Sequence, residues 1–407
     1  MNTTRSLASL LLSASVLAGC VERTGASVPP SDCDSSSDAA CAAVLEGVGM
    51  NDVSVLYPLP ADRAELDAML APATSGARGE LLPRALGDLL PELREGQRAR
   101  DWDSLRVVSV RLDPCFPSPE TAGCTPQVRL VLQPIDAAPD GRFVGADAAL
   151  HVFYALDREA LLALIETLVE ARGELDLALP LVEHPRLAVE GLEGAFATAL
   201  RDALLSQIGE ENLTRVTFFA LRDGGRAWDL GGFDRVDGAL VAMAIPGVEG
   251  AVQRIVALPP AAPPPARPDF RIAVDPAPEV ELVDDVSPLF EPAELVTLSP
   301  EVQASAIEAA LRVESPLSHD PTTIDCASCH VATSARRTAE ARIGVLESDA
   351  RYTSELDLTS PDTVPAGALG RAFHAFGYLG PDVAVSQRTV NETAATVTYL
   401  RALALSE

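Results

Sequence analysis

The residues of this chain best equipped for chemistry are gathered in Asp325-Cys326-Ala327-Ser328-Cys329-His330. Two cysteines at i and i+3 share a face of a helix, and the next residue sets an imidazole beside their thiols. Three chemistries suit this set. The thiols can add to the two vinyl groups of one porphyrin while His330 takes the proximal position on its iron, the CxxCH attachment pattern of c-type haem. They can instead close a disulfide beside an incidental histidine. Or they can supply half of a Cys2His2 zinc site that His319 or His374 completes.

The start of the chain bears on which of these holds. Arg5 gives a short basic region, and Leu7 to Ala18 is an apolar run too short to span a bilayer permanently. The run ends in Leu17-Ala18-Gly19-Cys20, which resembles the bacterial lipobox. That resemblance implies a signal peptide over 1–19, cleavage before Cys20, and lipid on Cys20 that anchors the protein to a membrane it does not cross. By resemblance to lipoprotein sorting, Val21 and Glu22 in place of Asp after Cys20 imply the outer membrane. Export puts the remaining cysteines in an oxidising compartment, where Cys33 with Cys41 and Cys115 with Cys124 read as structural disulfides.

Composition narrows the functions further. The 407 residues carry a formal charge of -28, with 59 acids against 31 bases, a surface that repels a phosphate backbone. Nucleic-acid binding is excluded. All of the bases are Arg, so no Lys is available as ligand or catalyst. At 47% hydrophobic and 4% aromatic residues the chain is that of a folded protein with two or three domains, not a set of membrane spans.

The elements that must position the motif follow from periodicity. Residues 20–42 read as a flexible tether. A strand is expected over 53–57, helices over about 61–71 and 78–93, and a disulfide-tied hairpin from strands about 105–112 and 128–132. A strand at 148–154 leads to Asp157, which caps a helix over 158–171, and a second long helix is expected over 186–207. Short strands at 213–221, 226–233, 239–245 and 250–257 complete an α+β domain over 43–257. In it His151, on an apolar strand, and His184, before Pro185, read as structural. Leu258 to Pro265 is Pro-rich and opens a linker over 258–298 whose later part is extended and acidic. Ser299-Pro300-Glu301 then starts a helix to about Val313, and Thr389-Val390-Asn391-Glu392 opens a last helix over about 388–405.

Residues 299–407 resemble a single-haem c-type cytochrome domain on three features: the motif, the helix before it, and a final helix containing Tyr399-Leu400. The resemblance implies a small, mostly α-helical fold and one covalently attached haem c. It also implies a distal ligand, usually Met, but no Met follows Met243. His374 falls about where that Met would stand, His319 competes because it lies close before the motif, and an open sixth position is the third possibility. The Gly-Pro turn that often follows the motif in that family is absent here. The expected function is therefore a lipid-anchored electron carrier serving an unidentified redox protein. The alternatives are an adhesion or assembly lipoprotein whose Cys/His site is structural, and a haem peroxidase or ligand sensor.

Overall fold

A computed structural model describes residues 44–119, 121, 123–258, 271–279, 284–356, 358 and 372–405. The expected signal peptide, the tether, Cys20, Cys33 and Cys41 lie outside the described residues.

Fourteen strands are formed among the described residues: Ser54–Leu56 (β1), Ser75–Gly76 (β2), Gly79–Glu80 (β3), Leu105–Phe116 (β4), Thr125–Ala137 (β5), Phe143–Gly145 (β6), Ala149–Ala155 (β7), Leu213–Arg222 (β8), Ala227–Val236 (β9), Ala239–Ala242 (β10), Val252–Ala257 (β11), Ile272–Asp275 (β12), Phe376–Leu379 (β13) and Asp382–Val385 (β14). Ten of them make one antiparallel sheet in the order β1-β4-β5-β7-β8-β9-β11-β12, with β6 on β5 and β10 on β9. Turn chemistry sets the hairpins. Asp223 (φ 50°) and Gly224 (φ 63°) fold β8 onto β9, and Asp237 (φ 50°) with Gly238 (φ 82°) fold β9 onto β10, left-handed conformations that Gly and Asp tolerate best. Cys115 and Cys124 are bonded across the β4–β5 turn.

Strand alternation gives the sheet two apolar faces, and both are covered. On one face Leu130, Val152 and Val216 cluster with Leu161, Leu164 and Leu168 of the helix Arg158–Arg172 and with Leu200 and Leu204 of the helix Ala195–Gln207. On the other, Phe219, Trp228, Leu230, Ile255 and Ile272 cluster with Ala306, Ile307 and Ala310 of the helix Pro300–Glu314 and with Val331 and Ala335 of the helix Cys326–Ile343.

This arrangement corrects the fold expected from the sequence. No small helical cytochrome-like domain hangs from the Pro-rich linker. Instead β12, which follows it, pairs with β11 from Arg254↔Asp275 to Ala257↔Ile272, and the later helices lie on the sheet that the first half of the chain builds. The hairpin β13–β14 joins them, with Gly380 and Gly145 exchanging backbone hydrogen bonds of 2.9 and 3.0 Å. The sheet therefore dominates an α+β molecule. Helical lengths differ too. The stretch expected as one helix over 78–93 holds only the turn Arg84–Gly87, because Pro83 and Pro91 deny it donors on both sides. The helix expected over 186–207 is split into Pro185–Glu190 and Ala195–Gln207 at Gly191, whose φ is 75°.

Candidate functional site

The motif opens the helix Cys326–Ile343. Asp325 is its N-cap, wholly buried, and accepts the Ser328 N–H at 2.9 Å. The buried side-chain oxygen of Gln253, on β11, accepts the Ala327 N–H at 2.8 Å. Two donors of the first turn are thus satisfied, and the helix start is fixed to the sheet. Cys326 and Cys329 are unbridged.

His330 is oriented by its own hydrogen bond. Its Nδ1 lies 2.6 Å from the carbonyl oxygen of Phe373, so Nδ1 carries the proton and donates it. Nε2 is left with a free lone pair and makes no hydrogen bond among the described residues. One turn further on, Ser334 donates to the Ala372 carbonyl at 2.7 Å, which holds the 372–374 segment along the helix. The His330 ring lies parallel to Phe219 of β8 at a centroid distance of 5.5 Å.

The thiols and imidazole face an interior gap. Cys326, Cys329 and His330 are each half-buried, whereas their neighbours Ala327, Ser328 and Val331 are buried. Across from them Arg129, His151, Arg215 and Thr217, on neighbouring strands β5, β7 and β8, are half-buried too, within a sheet whose other positions are largely sealed. Loss of water is the leading influence on the thiols and on both imidazoles. Burial, with Asp325 second, pushes Cys326 up to about 12. Burial likewise pushes Cys329 up to about 11, although Arg388 and Arg129 draw it back. Burial depresses His330 to about 4 against the opposing effect of its hydrogen bond to the Phe373 carbonyl, so its ring is neutral at physiological pH. A cavity of about 890 Å³ adjoins the gap. Cys326, Cys329 and His330 are not in its wall, but Arg129, Arg388 and Glu392 line it while acting on the Cys329 thiol.

The other histidines differ sharply. His374 is buried between two partners, with Nδ1 3.4 Å from Gln133 Nε2 and Nε2 2.9 Å from Asp147 Oδ1. Asp147 also accepts the Trp228 indole N–H at 3.0 Å. His319 Nε2 lies 2.8 Å from Asp284 Oδ2, and its ring lines the large cavity. Among the described residues no three His, Cys, Asp or Glu side chains converge as a metal site, so neither His319 nor His374 completes a zinc site with the two thiols. His151, read from the sequence as structural, stands on the gap itself. Its pKa is held well below the usual histidine value by burial, then by Arg129, His330 and His374. The sequence signal was its alternation with Leu150 and Val152, which puts His151 on the opposite face from the apolar residues; which helix that face meets is a tertiary fact.

Comparison with known protein families, with curated proteins and with solved structures finds no match for this chain.

Proposed function

We propose that this protein carries one haem c, bound through Cys326 and Cys329 with His330 as proximal ligand, and works as an electron carrier. The observation that carries the reading is the state of His330: Nδ1 is committed to the Phe373 carbonyl, Nε2 is free and neutral, and two unbridged thiols on the same helix face share its gap. A ligating imidazole needs that tautomer and that second hydrogen bond. Weakly acidic thiols argue against a reactive dithiol, which calls for a lowered thiol pKa.

Attachment balances without an oxidant. Each S–H adds across a vinyl group, a C–S bond forms, and the thiol proton ends on the other vinyl carbon. Bound haem supplies one-electron exchange between ferric and ferrous iron. The chain's own residues hold and insulate it. Phe219 flanks the proximal ring, the Phe373 carbonyl fixes its rotation, and the sheet keeps bulk water from the gap.

Full-length protein matured with the c-type attachment machinery should keep its Soret absorbance after denaturation and acid-acetone extraction. A Cys326→Ser/Cys329→Ser variant should lose it. Zinc without haem in the matured wild type would refute the reading. Residence on a membrane through lipid on Cys20 belongs to the same proposal, and Cys20→Ser should move the protein to the soluble fraction. Sedimentation of that variant with membranes after a high-salt wash would remove the lipid anchor.

A further inference from the structure

Resting on the haem reading, we infer that His151 is the sixth ligand of the iron, approaching from the sheet opposite His330, and that His374 is a positioning residue behind the proximal side.

The argument starts from register. His151 pairs with Val131 of β5 and Thr217 of β8, so the three side chains share a face. Phe219, two residues beyond Thr217 on that face, stacks on His330 at 5.5 Å and meets His374 edge-on at 5.0 Å. Strand β7 therefore presents His151 to the gap that the helix start closes from the other side. Both strand neighbours of Phe153 on this face are arginines, Arg129 and Arg215, and these act on Cys329 and Cys326 respectively. The wall around His151 is thus the wall opposite the two thiols.

Partners decide between the histidines. His151 makes no hydrogen bond with any described residue through either ring nitrogen, although it is half-buried in the middle of β7 with a strand paired on each side. A half-buried imidazole with no protein partner is available to a partner that arrives with the cofactor. His374 Nε2 also lacks a hydrogen bond, but it is faced by Asp147 Oδ1 at an ion-pair distance of 2.9 Å, and its Nδ1 lies 3.4 Å from Gln133 Nε2. Releasing it to iron would strip Asp147 of its 2.9 Å contact and leave that carboxylate half-buried beside Trp228. His374 does follow Phe373, whose carbonyl receives the His330 proton, so the Gln133 and Asp147 contacts fix the proximal hydrogen bond at one remove. His319 is held by Asp284 in the same way.

The test uses electronic absorption and electron paramagnetic resonance of the haem-loaded full chain, with no activity readout. Ferric wild type should be low-spin without the red charge-transfer band of Met ligation. His151→Ala should become high-spin and, once reduced, bind carbon monoxide at least tenfold faster, and added imidazole should restore the low-spin spectrum. Imidazole rescue shows that the variant is folded and lacks only a ligand. His374→Gln should stay low-spin with a shifted potential. A low-spin, imidazole-insensitive His151→Ala overturns the assignment, as does a high-spin wild type. Failure of the haem reading would look different, because wild type would then show no Soret band after denaturation.

Discussion

A histidine's role in this protein is set by what its two nitrogens touch. His330 has one committed and one free, His374 has contacts to both, and neither nitrogen of His184 has a partner among the described residues. His184 is fully buried and its ring lies 4.1 Å from that of Phe196, nearly parallel. Burial, with Arg172 and Arg186 adding to it, depresses its pKa to about 4. The folded value lies below the unfolded one, so the unfolded chain binds the extra proton. The contribution of neutral His184 is fully present above about pH 6.5 and is lost as pH falls from there toward 4. A shift of this size corresponds to about 3 kcal/mol at full expression. His184→Phe keeps the stack and removes the titration. The drop in Tm between pH 7.5 and pH 4.5 should be smaller in this variant than in wild type, and equal drops would show that His184 is not a source of acid sensitivity.

At the scale of elements, local signals were legible where local chemistry decides. Asp157 caps the helix Arg158–Arg172, which ends at Gly173, and Ser299 caps Pro300–Glu314, both as their spacing predicts. Alternation in Val108, Val110 and Leu112 reads correctly as one strand of a hairpin, although β4 runs on to Phe116 and β5 from Thr125 to Ala137. What was hidden is which element lies against which. Nothing local to Ile272-Ala273-Val274-Asp275 reveals that it adds an edge strand beside β11 across a Pro-rich interval, nor that Gln253 in that neighbouring strand accepts from the first turn of the motif helix. That His151 shares a sheet face with Phe219, which stacks on His330, was hidden for the same reason. An isolated strand histidine is bland until the opposing layer is known, and here that layer is the CxxCH helix. The small-cytochrome expectation failed because CxxCH encodes only its own turn, and such a turn can open a helix that packs on a sheet as well as one in a small helical domain.

For the molecule as a whole, the consequence is that the motif-bearing part should not fold alone. Its helices present Ala306, Ile307, Ala310, Val331 and Ala335 to Phe219, Trp228, Leu230 and Ile255, and burial of a large apolar side chain contributes about 1.5–3 kcal/mol. Ion pairs cross the same boundary. Arg111 of β4 is 2.7 Å from Glu392 of the last helix, and both are screened from water. Burial raises the Glu392 pKa, but Arg388, Arg111 and Arg129 together outweigh it and bring the carboxyl down to about 2. Breaking such a pair by removing one partner costs about 3–5 kcal/mol, since the other charge stays behind. A fragment of residues 299–407 would lose Arg111 and Arg129 together with the whole apolar face, a deficit comparable with the total stability of an ordinary domain. We predict that this fragment, even when matured with haem, lacks a cooperative thermal transition and is degraded by dilute protease under conditions that spare the full chain. The complementary fragment, 44–298, should self-associate through its uncovered face, and mixing the two should restore protease resistance. A cooperative melt and dispersed amide resonances from 299–407 alone would show instead that its helices carry their own core.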